Sequence, residues 1–342
     1  MSAPNICFLG TGKINVKHLR VVRKLRPNAR LSVASRDLER ARAFQQKHNL
    51  HHAFGDYREA IASDEVEAVL IGTPPKAHAE LVEFCLEAKK SALIEKPVFN
   101  SFDDFARLYG PMCDHPGVMM VAENLHYAPF HRRIKTLLAD DALGQPLYLD
   151  LTRLGRSSPG GWRIDPEEMP LGALHEGGVH WIRRILDLAA VFDESLRESI
   201  IDVSCFGPPA PVTKTPHEDT SLIVTRHRSG LTSRLLHTWG VPWRFLSADS
   251  SKFVCEHGAI YFDGRGISGK YYGPHKRRRL WPNVRDAGGS VAMWSDFLQA
   301  LEGGKPPELS LEMVFIDFAY MDAAYRSRQS GKPETLRLDA LR

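Results

Sequence analysis

Over the first 123 residues, short apolar runs alternate with stretches whose apolar positions recur every three or four residues. The runs at 6–9, 31–34, 66–71, 92–94 and 118–121 predict strands. The stretches at 14–25, 38–48, 57–61, 77–88 and 102–109 predict helices between them. Strands joined by crossover helices imply a parallel sheet. The runs are almost wholly apolar, as expected where helices cover both faces of that sheet.

Beyond residue 123 the rhythm changes. Helices are predicted at 129–139 and 173–190, followed by β-rich runs at 200–206, 221–226, 232–238, 252–256 and 259–262. Their spacing fits antiparallel strands with short turns. Two helical stretches, 292–301 and 311–326, close the chain. The expectation is an α/β protein: a doubly wound parallel domain over 1–123, then an α+β domain over 124–342 built on a large, mostly antiparallel open sheet.

Composition narrows this picture. A chain of 342 residues is comfortable for two domains. Its formal charge of +4 is too small to argue for nucleic acid and fits small anionic ligands. The basic stretch 275–282, HKRRRLWP, reads as a solvated loop in a chain with no nucleic-acid module. The five cysteines are scattered without CxxC pairing, which argues against a disulfide framework and against a zinc site, and no metal is expected. No apolar run approaches the ~18 residues of a membrane helix. The N-terminus shows no basic-then-apolar leader, so a cytoplasmic protein is expected.

Candidate chemistry begins at GTGKINVKHL, 10–19, directly behind the first strand. Gly10 permits a tight turn out of the strand, and Gly12 lets backbone approach a pyrophosphate. The helix start over Thr11, Lys13 and Ile14 offers unpaired N–H groups and a positive dipole. Position fifteen, where a third glycine is usual and mainly governs helix–strand packing, is Asn15, itself a small residue. At the end of the second strand, Ser35 and Arg36 suit an adenosine 2′-phosphate and hence NADP(H). The next residue, Asp37, either caps the following helix or reaches the ribose, which keeps NAD(H) open. Thr73, Pro74 and His78 follow the strand run at 66–71, and Glu95 and Lys96 follow that at 92–94, at the carboxyl end where ligands bind in such sheets. Farther on, GALHEGGVHWIRRIL, 172–186, puts Glu176 and His180 four apart, on one face of a helix. A carboxylate there can fix the histidine's tautomer.

The order GTG, SR, TPPxxxH, EKP, WR, then acid-x-x-x-His resembles the Gfo/Idh/MocA family of NAD(P)-dependent oxidoreductases. The stretches 122–146, 161–180 and 315–333 are similar to that family's later segments, so the resemblance spans essentially the whole chain. It implies a Rossmann domain holding a dinucleotide, with Asn124, Trp162 and Arg163 among the cofactor contacts. It also implies a pocket lined by Lys96, Glu176 and His180, with hydride transfer at the nicotinamide and proton transfer by Lys96 or His180. The implied substrate is a sugar-like or cyclitol-like small molecule, and the implied assembly is a homodimer or homotetramer through the open sheet. Two alternatives share these features: a non-catalytic cofactor-binding regulator, and a redox-assisted glycoside-cleaving enzyme that recycles its cofactor. Three departures fall at the substrate helix or its lead-in. Glu176 replaces the usual Asp, Arg183 replaces an Asp, and Pro170-Leu171-Gly172 replaces three glycines. If Arg153, Arg156, Arg163, Arg183 or Arg244 reach the cleft, they suit an anionic substrate.

Overall fold

The computed structural model describes residues 4–193, 195–241, 250–263, 268–281 and 285–341. In chain order its elements begin β1 (Asn5–Leu9), α1 (Lys13–Leu25), β2 (Arg30–Ala34), α2 (Leu38–His48), β3 (Ala53–Phe54) and α3 (Tyr57–Ala62). They continue with β4 (Ala68–Ile71), α4 (His78–Glu87), β5 (Ser91–Ile94), α5 (Phe102–Cys113) and β6 (Met119–Val121). Next come α6 (Pro129–Leu138), β7 (Pro146–Leu154), α7 (Val179–Ala189), α8 (Leu196–Ser199), β8 (Ile200–Phe206), β9 (Thr220–His227) and β10 (Thr232–Thr238). Then follow β11 (Ser250–Cys255), β12 (Gly258–Asp263), β13 (Gly269–Tyr272), β14 (Arg277–Leu280), α9 (Ser290–Leu301) and α10 (Leu311–Ser330).

The chain forms two compact units. The first comprises residues 1–124 and 290–311, and the second 125–289 and 312–342. The expectation put everything after 123 into the second domain. Instead α9 joins the first unit, where it packs on α1. Both helices have apolar faces that need cover: α1 buries Leu19 and Val22, and α9 buries Met293, Trp294, Phe297 and Leu298.

In the first unit six parallel strands run in the order β3-β2-β1-β4-β5-β6. This is a Rossmann sheet, whose order reverses beside β1. Every residue of β4 and β5 is buried, which explains their apolar sequences. Asp37, Asp56 and Ser101 start α2, α3 and α5 by accepting a backbone N–H three residues on.

The second unit is built on eight strands in the order β14-β13-β12-β11-β7-β10-β9-β8. All neighbours are antiparallel except β7 and β10, which pair in parallel. Alternate residues of β9 and β10 are buried, so one face of the sheet is covered and the other is open. Helix α7 packs on the central strands β7 and β10, and α10 is tied to β9 by a 2.7 Å bond between Tyr320 and Thr225. The stretch expected as a basic loop, 275–282, contains the edge strand β14, with Arg277, Arg278 and Arg279 exposed. Charges on an edge strand discourage pairing with another chain.

Candidate active site

In the first unit, the turn after β1 brings together three features that suit a dinucleotide. Gly10 has φ +101°, a conformation L residues avoid, and its N–H donates to the Ala34 carbonyl at 2.8 Å. Gly12 opens α1 without a side-chain cap, and no acidic residue occupies the first turn. The helix's leading N–H groups therefore face outward with their partial positive charge uncompensated. A Cβ added at Gly12 would meet nothing within 4 Å, so the space in front of the turn is open.

Asn15 does more than the expected packing. It is fully buried, and its Nδ2 donates to the carbonyls of Leu9 at 3.1 Å and Gly10 at 2.6 Å, stitching strand, turn and helix together. Its amide lies so close to Gly72 that a Cβ there would sit 1.9 Å from Asn15 Oδ1. Gly72, at the end of β4, is therefore the complement of Asn15.

At the end of β2, Ser35 is buried and its Oγ accepts from the Asp37 N–H at 3.3 Å. Asp37 itself accepts from the Arg40 N–H as the cap of α2. Arg36 is exposed, and the half-buried Tyr57 hydroxyl near it has its pKa raised by burial against the opposing pull of Arg36 and Arg40. After β4, the Thr73 hydroxyl is buried without a protein partner, the state expected of a group that a bound ligand would satisfy. Pro74 beside it is half-buried. His78 is fully buried, with Nε2 2.9 Å from the Thr73 carbonyl and Nδ1 3.0 Å from that of Val98. It thus ties the turn after β4 to the turn after β5, and burial lowers its pKa. Lys96 is half-buried on that second turn and precedes a cis Lys96–Pro97 bond. Asn124 is half-buried where the chain leaves β6. The capless helix start, the open space before Gly12 and the unsatisfied Thr73 hydroxyl together fit a dinucleotide's pyrophosphate and nicotinamide end.

The remaining expected residues belong to the second unit. Glu176 lies in a π-helical turn, Leu174–Gly178, that runs into α7, so the expected α-helix over 173–190 is wider at its start. Such π-turns recur at functional sites. Apart from His180, every residue of α7 is buried. Arg163 follows Trp162 on a 3₁₀ turn and stacks on that ring at 4.3 Å. Its Nε and Nη2 both bond Glu176 Oε1, at 3.0 and 2.8 Å, so two residues expected in separate roles are partners here.

The other arginines divide. Arg183 does not serve a cleft. It is fully buried and paired with Asp187 at 3.3 Å and Asp317 at 3.1 Å. A helix buried on all sides must pair its charges internally, and the arginine at this position answers that need. Arg153 lies over the Trp181 ring at 5.7 Å, and Arg156 is exposed. Arg244 lies outside the described residues. Among the described residues, no group of three His, Cys, Asp or Glu side chains could hold a metal ion.

One residue that sequence reasoning missed holds the start of the Glu176 segment. Glu218 is buried, and its carboxylate accepts from the N–H groups of Ala173 at 2.9 Å and Leu174 at 3.1 Å and from the Tyr325 hydroxyl at 2.6 Å. Burial pushes its pKa up to about 7. Gly172 is needed beside it, because a Cβ there would sit 2.1 Å from the Glu218 carbonyl oxygen.

A Rossmann sheet with a glycine turn at a capless helix, followed by a large antiparallel sheet, defines the class of two-domain dinucleotide-fold proteins. Residues 5–123 match the oxidoreductase family model for the NAD-binding Rossmann fold, and residues 131–261 match the GFO/IDH/MocA C-terminal domain. The chain belongs to the Gfo/Idh/MocA oxidoreductase family.

Relatives include the trans-1,2-dihydrobenzene-1,2-diol dehydrogenase of Homo sapiens, 32% identical over 114 residues, which is 33% of this chain and 34% of that protein. The uncharacterized oxidoreductase YrbE of Bacillus subtilis (strain 168) is 26% identical over 147 residues, 42% of each chain. The chain thus spans at most about two fifths of the length of these curated relatives. Among solved structures, levoglucosan dehydrogenase in complex with NADH and levoglucosan has a TM-score of 0.85 at 19% identity, covering 97% of this chain and 99% of that one. GenD2 from gentamicin A biosynthesis, in complex with NAD, has a TM-score of 0.83 at 20% identity, covering 98% and 97%. At these identities the structures establish the shared fold. No helix among the described residues is long and apolar enough to cross a membrane.

Proposed function

We propose that the chain is an NADP(H)-dependent oxidoreductase acting on an alcohol or carbonyl carbon of a sugar-like or cyclitol-like small molecule. The observation that carries this reading is the coincidence, at one end of one parallel sheet, of the capless glycine turn before α1 and the Lys96 turn after β5. The names of relatives that act on a cyclic diol and on an anhydrosugar support the substrate class.

Gly10, Thr11 and Gly12 and the leading N–H groups of Lys13 and Ile14 hold the pyrophosphate. Thr73 offers its unsatisfied hydroxyl to the same ligand. Ser35 and Arg36 hold the 2′-phosphate, with Arg40 and Tyr57 at the same corner. Asp37 is already engaged as the cap of α2, which favours NADP(H) over NAD(H). A nicotinamide held there would supply the hydride chemistry at the substrate carbon. Lys96 polarises the substrate oxygen or exchanges its proton, and His180 is the second group able to do so. Glu176, held by Arg163, orients the substrate's hydroxyls. Asn124 and Trp162 complete the cofactor contacts. All five cysteines are free thiols, which supports a cytoplasmic protein. The open face of the eight-stranded sheet supports a homodimer or homotetramer.

The test is nicotinamide absorbance against pooled sugars, cyclitols, sugar acids and simple ketones, with wild type and Lys96→Met side by side. Turnover in wild type that is lost in Lys96→Met is the expected result. Turnover kept in the mutant refutes the role of Lys96. Tight NADPH binding without turnover favours the regulator. Sugar release without net cofactor consumption favours redox-assisted cleavage. Arg36→Ala should weaken NADPH binding by about tenfold or more and leave NADH unchanged, because one charge-assisted bond contributes about 1.5–3 kcal/mol. Equal loss for both cofactors refutes the 2′-phosphate assignment.

A further inference from the structure

A chain of buried hydrogen bonds in the first unit ends on the main chain of Lys96. It starts at Trp294 of α9, whose indole Nε1 donates to His18 Nδ1 at 2.6 Å. An indole nitrogen can only donate, so His18 Nδ1 must accept and the ring proton of the neutral histidine sits on Nε2. His18 Nε2 then donates to Glu95 Oε1 at 2.6 Å, and Glu95 Oε2 accepts the Lys96 N–H at 3.0 Å. Trp294 is 0%, His18 3% and Glu95 8% exposed. Stacking on Phe8 at 6.3 Å and an edge contact with Phe297 at 5.7 Å hold the indole in place.

We propose that His18 and Trp294 are positioning residues for Lys96, acting through Glu95. This inference rests on the proposed function for the role of Lys96. His18 occupies the buried stripe of α1 with Asn15, Leu19 and Val22, a position where an apolar side chain would pack without any polar group to satisfy. The stripe instead carries a histidine whose tautomer is dictated by one neighbour and whose donor is committed to another. The far end of the chain is the peptide group of the residue assigned to proton transfer. In a low-dielectric interior such a fully satisfied chain is rigid, and it sets where the Lys96 backbone stands. A displacement of a reacting group by about 1 Å can cost on the order of a hundredfold in rate.

The experiment uses the full-length protein as wild type, Lys96→Met, His18→Leu, His18→Gln and Trp294→Phe. Two quantities are read: amide hydrogen exchange at Lys96, without substrate, and kcat, KM and the NADPH dissociation constant, with the substrate found by the turnover screen. In His18→Leu, Lys96 exchange should quicken while amides of β1 and β2 stay protected. Its kcat should fall by about 10–100-fold, with NADPH affinity held within about threefold. His18→Gln, whose carboxamide both donates and accepts, should recover most of both losses, and Trp294→Phe should lie between.

Unchanged Lys96 exchange and unchanged kcat in His18→Leu overturn the inference when Lys96→Met is inactive. A uniform quickening of exchange, or a loss of NADPH affinity as large as the loss of kcat, also overturns it, since either means α1 has merely been destabilised. If His18→Leu does not fold, unchanged exchange and kcat in Trp294→Phe overturn it. If Lys96→Met turns over like wild type, it is the proposed function that fails, and the catalytic part of the inference falls with it.

Discussion

Replacing Asp187 with asparagine keeps the side chain's shape and removes its charge. In the second unit Asp187 Oδ2 accepts from His126 Nδ1 at 2.8 Å and His131 Nε2 at 2.9 Å, and Oδ1 lies 3.3 Å from Arg183 Nε. Burial alone would raise the Asp187 pKa, but Arg183 and the two histidines outweigh it and hold the carboxyl well below its usual range. Removing one partner of a buried ion pair costs about 3–5 kcal/mol, because the other charge stays buried. Arg183 keeps Asp317 and donates to the Met313 carbonyl at 2.8 Å. The expected loss is therefore at the lower end, about 3 kcal/mol. For a unit of about 200 residues this lowers Tm by about 6–12 °C. Differential scanning calorimetry at pH 7.5, comparing wild type with Asp187→Asn, measures it. A shift under about 2 °C would show that the charge is dispensable and would refute the reasoning.

Acid should weaken the same unit through two buried histidines. Burial holds His131 down at about 4 from an ordinary 6.5, and His227 likewise. The unfolded chain takes up these protons first, so the contribution of these two rings is whole above about pH 6.5 and is lost as pH falls toward 4, by about 3 kcal/mol for each ring. His131→Gln, which keeps a donor for Asp187, should flatten the fall of Tm between pH 6.5 and 4, and an unchanged slope would count against it. Glu218 runs the other way: its raised pKa of about 7 means the folded state holds the proton more tightly, so its contribution is present below about pH 4.5 and is lost as pH rises through 7. Glu218→Gln should remove that alkaline loss of Tm, and a profile identical to wild type would exclude Glu218 as its source.

Much of the fold was legible because burial writes itself into sequence. Strands covered on both faces become apolar runs, and all but the two-residue β3 of the first sheet were expected. Strands β7, β13 and β14 were not. The first lacks a clean alternation, with a burial pattern that changes midway, and β14 carries three exposed arginines that resemble a loop. The glycine turn and the Lys96 turn were legible from their order along the chain. The role of His18 was missed, although a signal existed: polar residues at 15 and 18 interrupt the apolar stripe of α1, which marks them as satisfied from elsewhere. The indole partner of His18 was invisible because Trp294 lies 276 residues away from it. Glu218 was missed for a similar reason, lying 44 residues beyond Leu174.

The return of α9 to the first unit has a consequence for the order of events at the ribosome. The six-stranded sheet is synthesised by residue 124, yet the helix that covers α1 and supplies Trp294 ends at Leu301. At about 5–20 residues per second, roughly 10–40 seconds separate the two. During that interval α1 stands without its partner helix and His18 without its indole donor. Early chain termination would therefore release a domain that is complete in strands and incomplete in cover, a natural client for chaperones. His18 gains its indole donor only once α9 has been made.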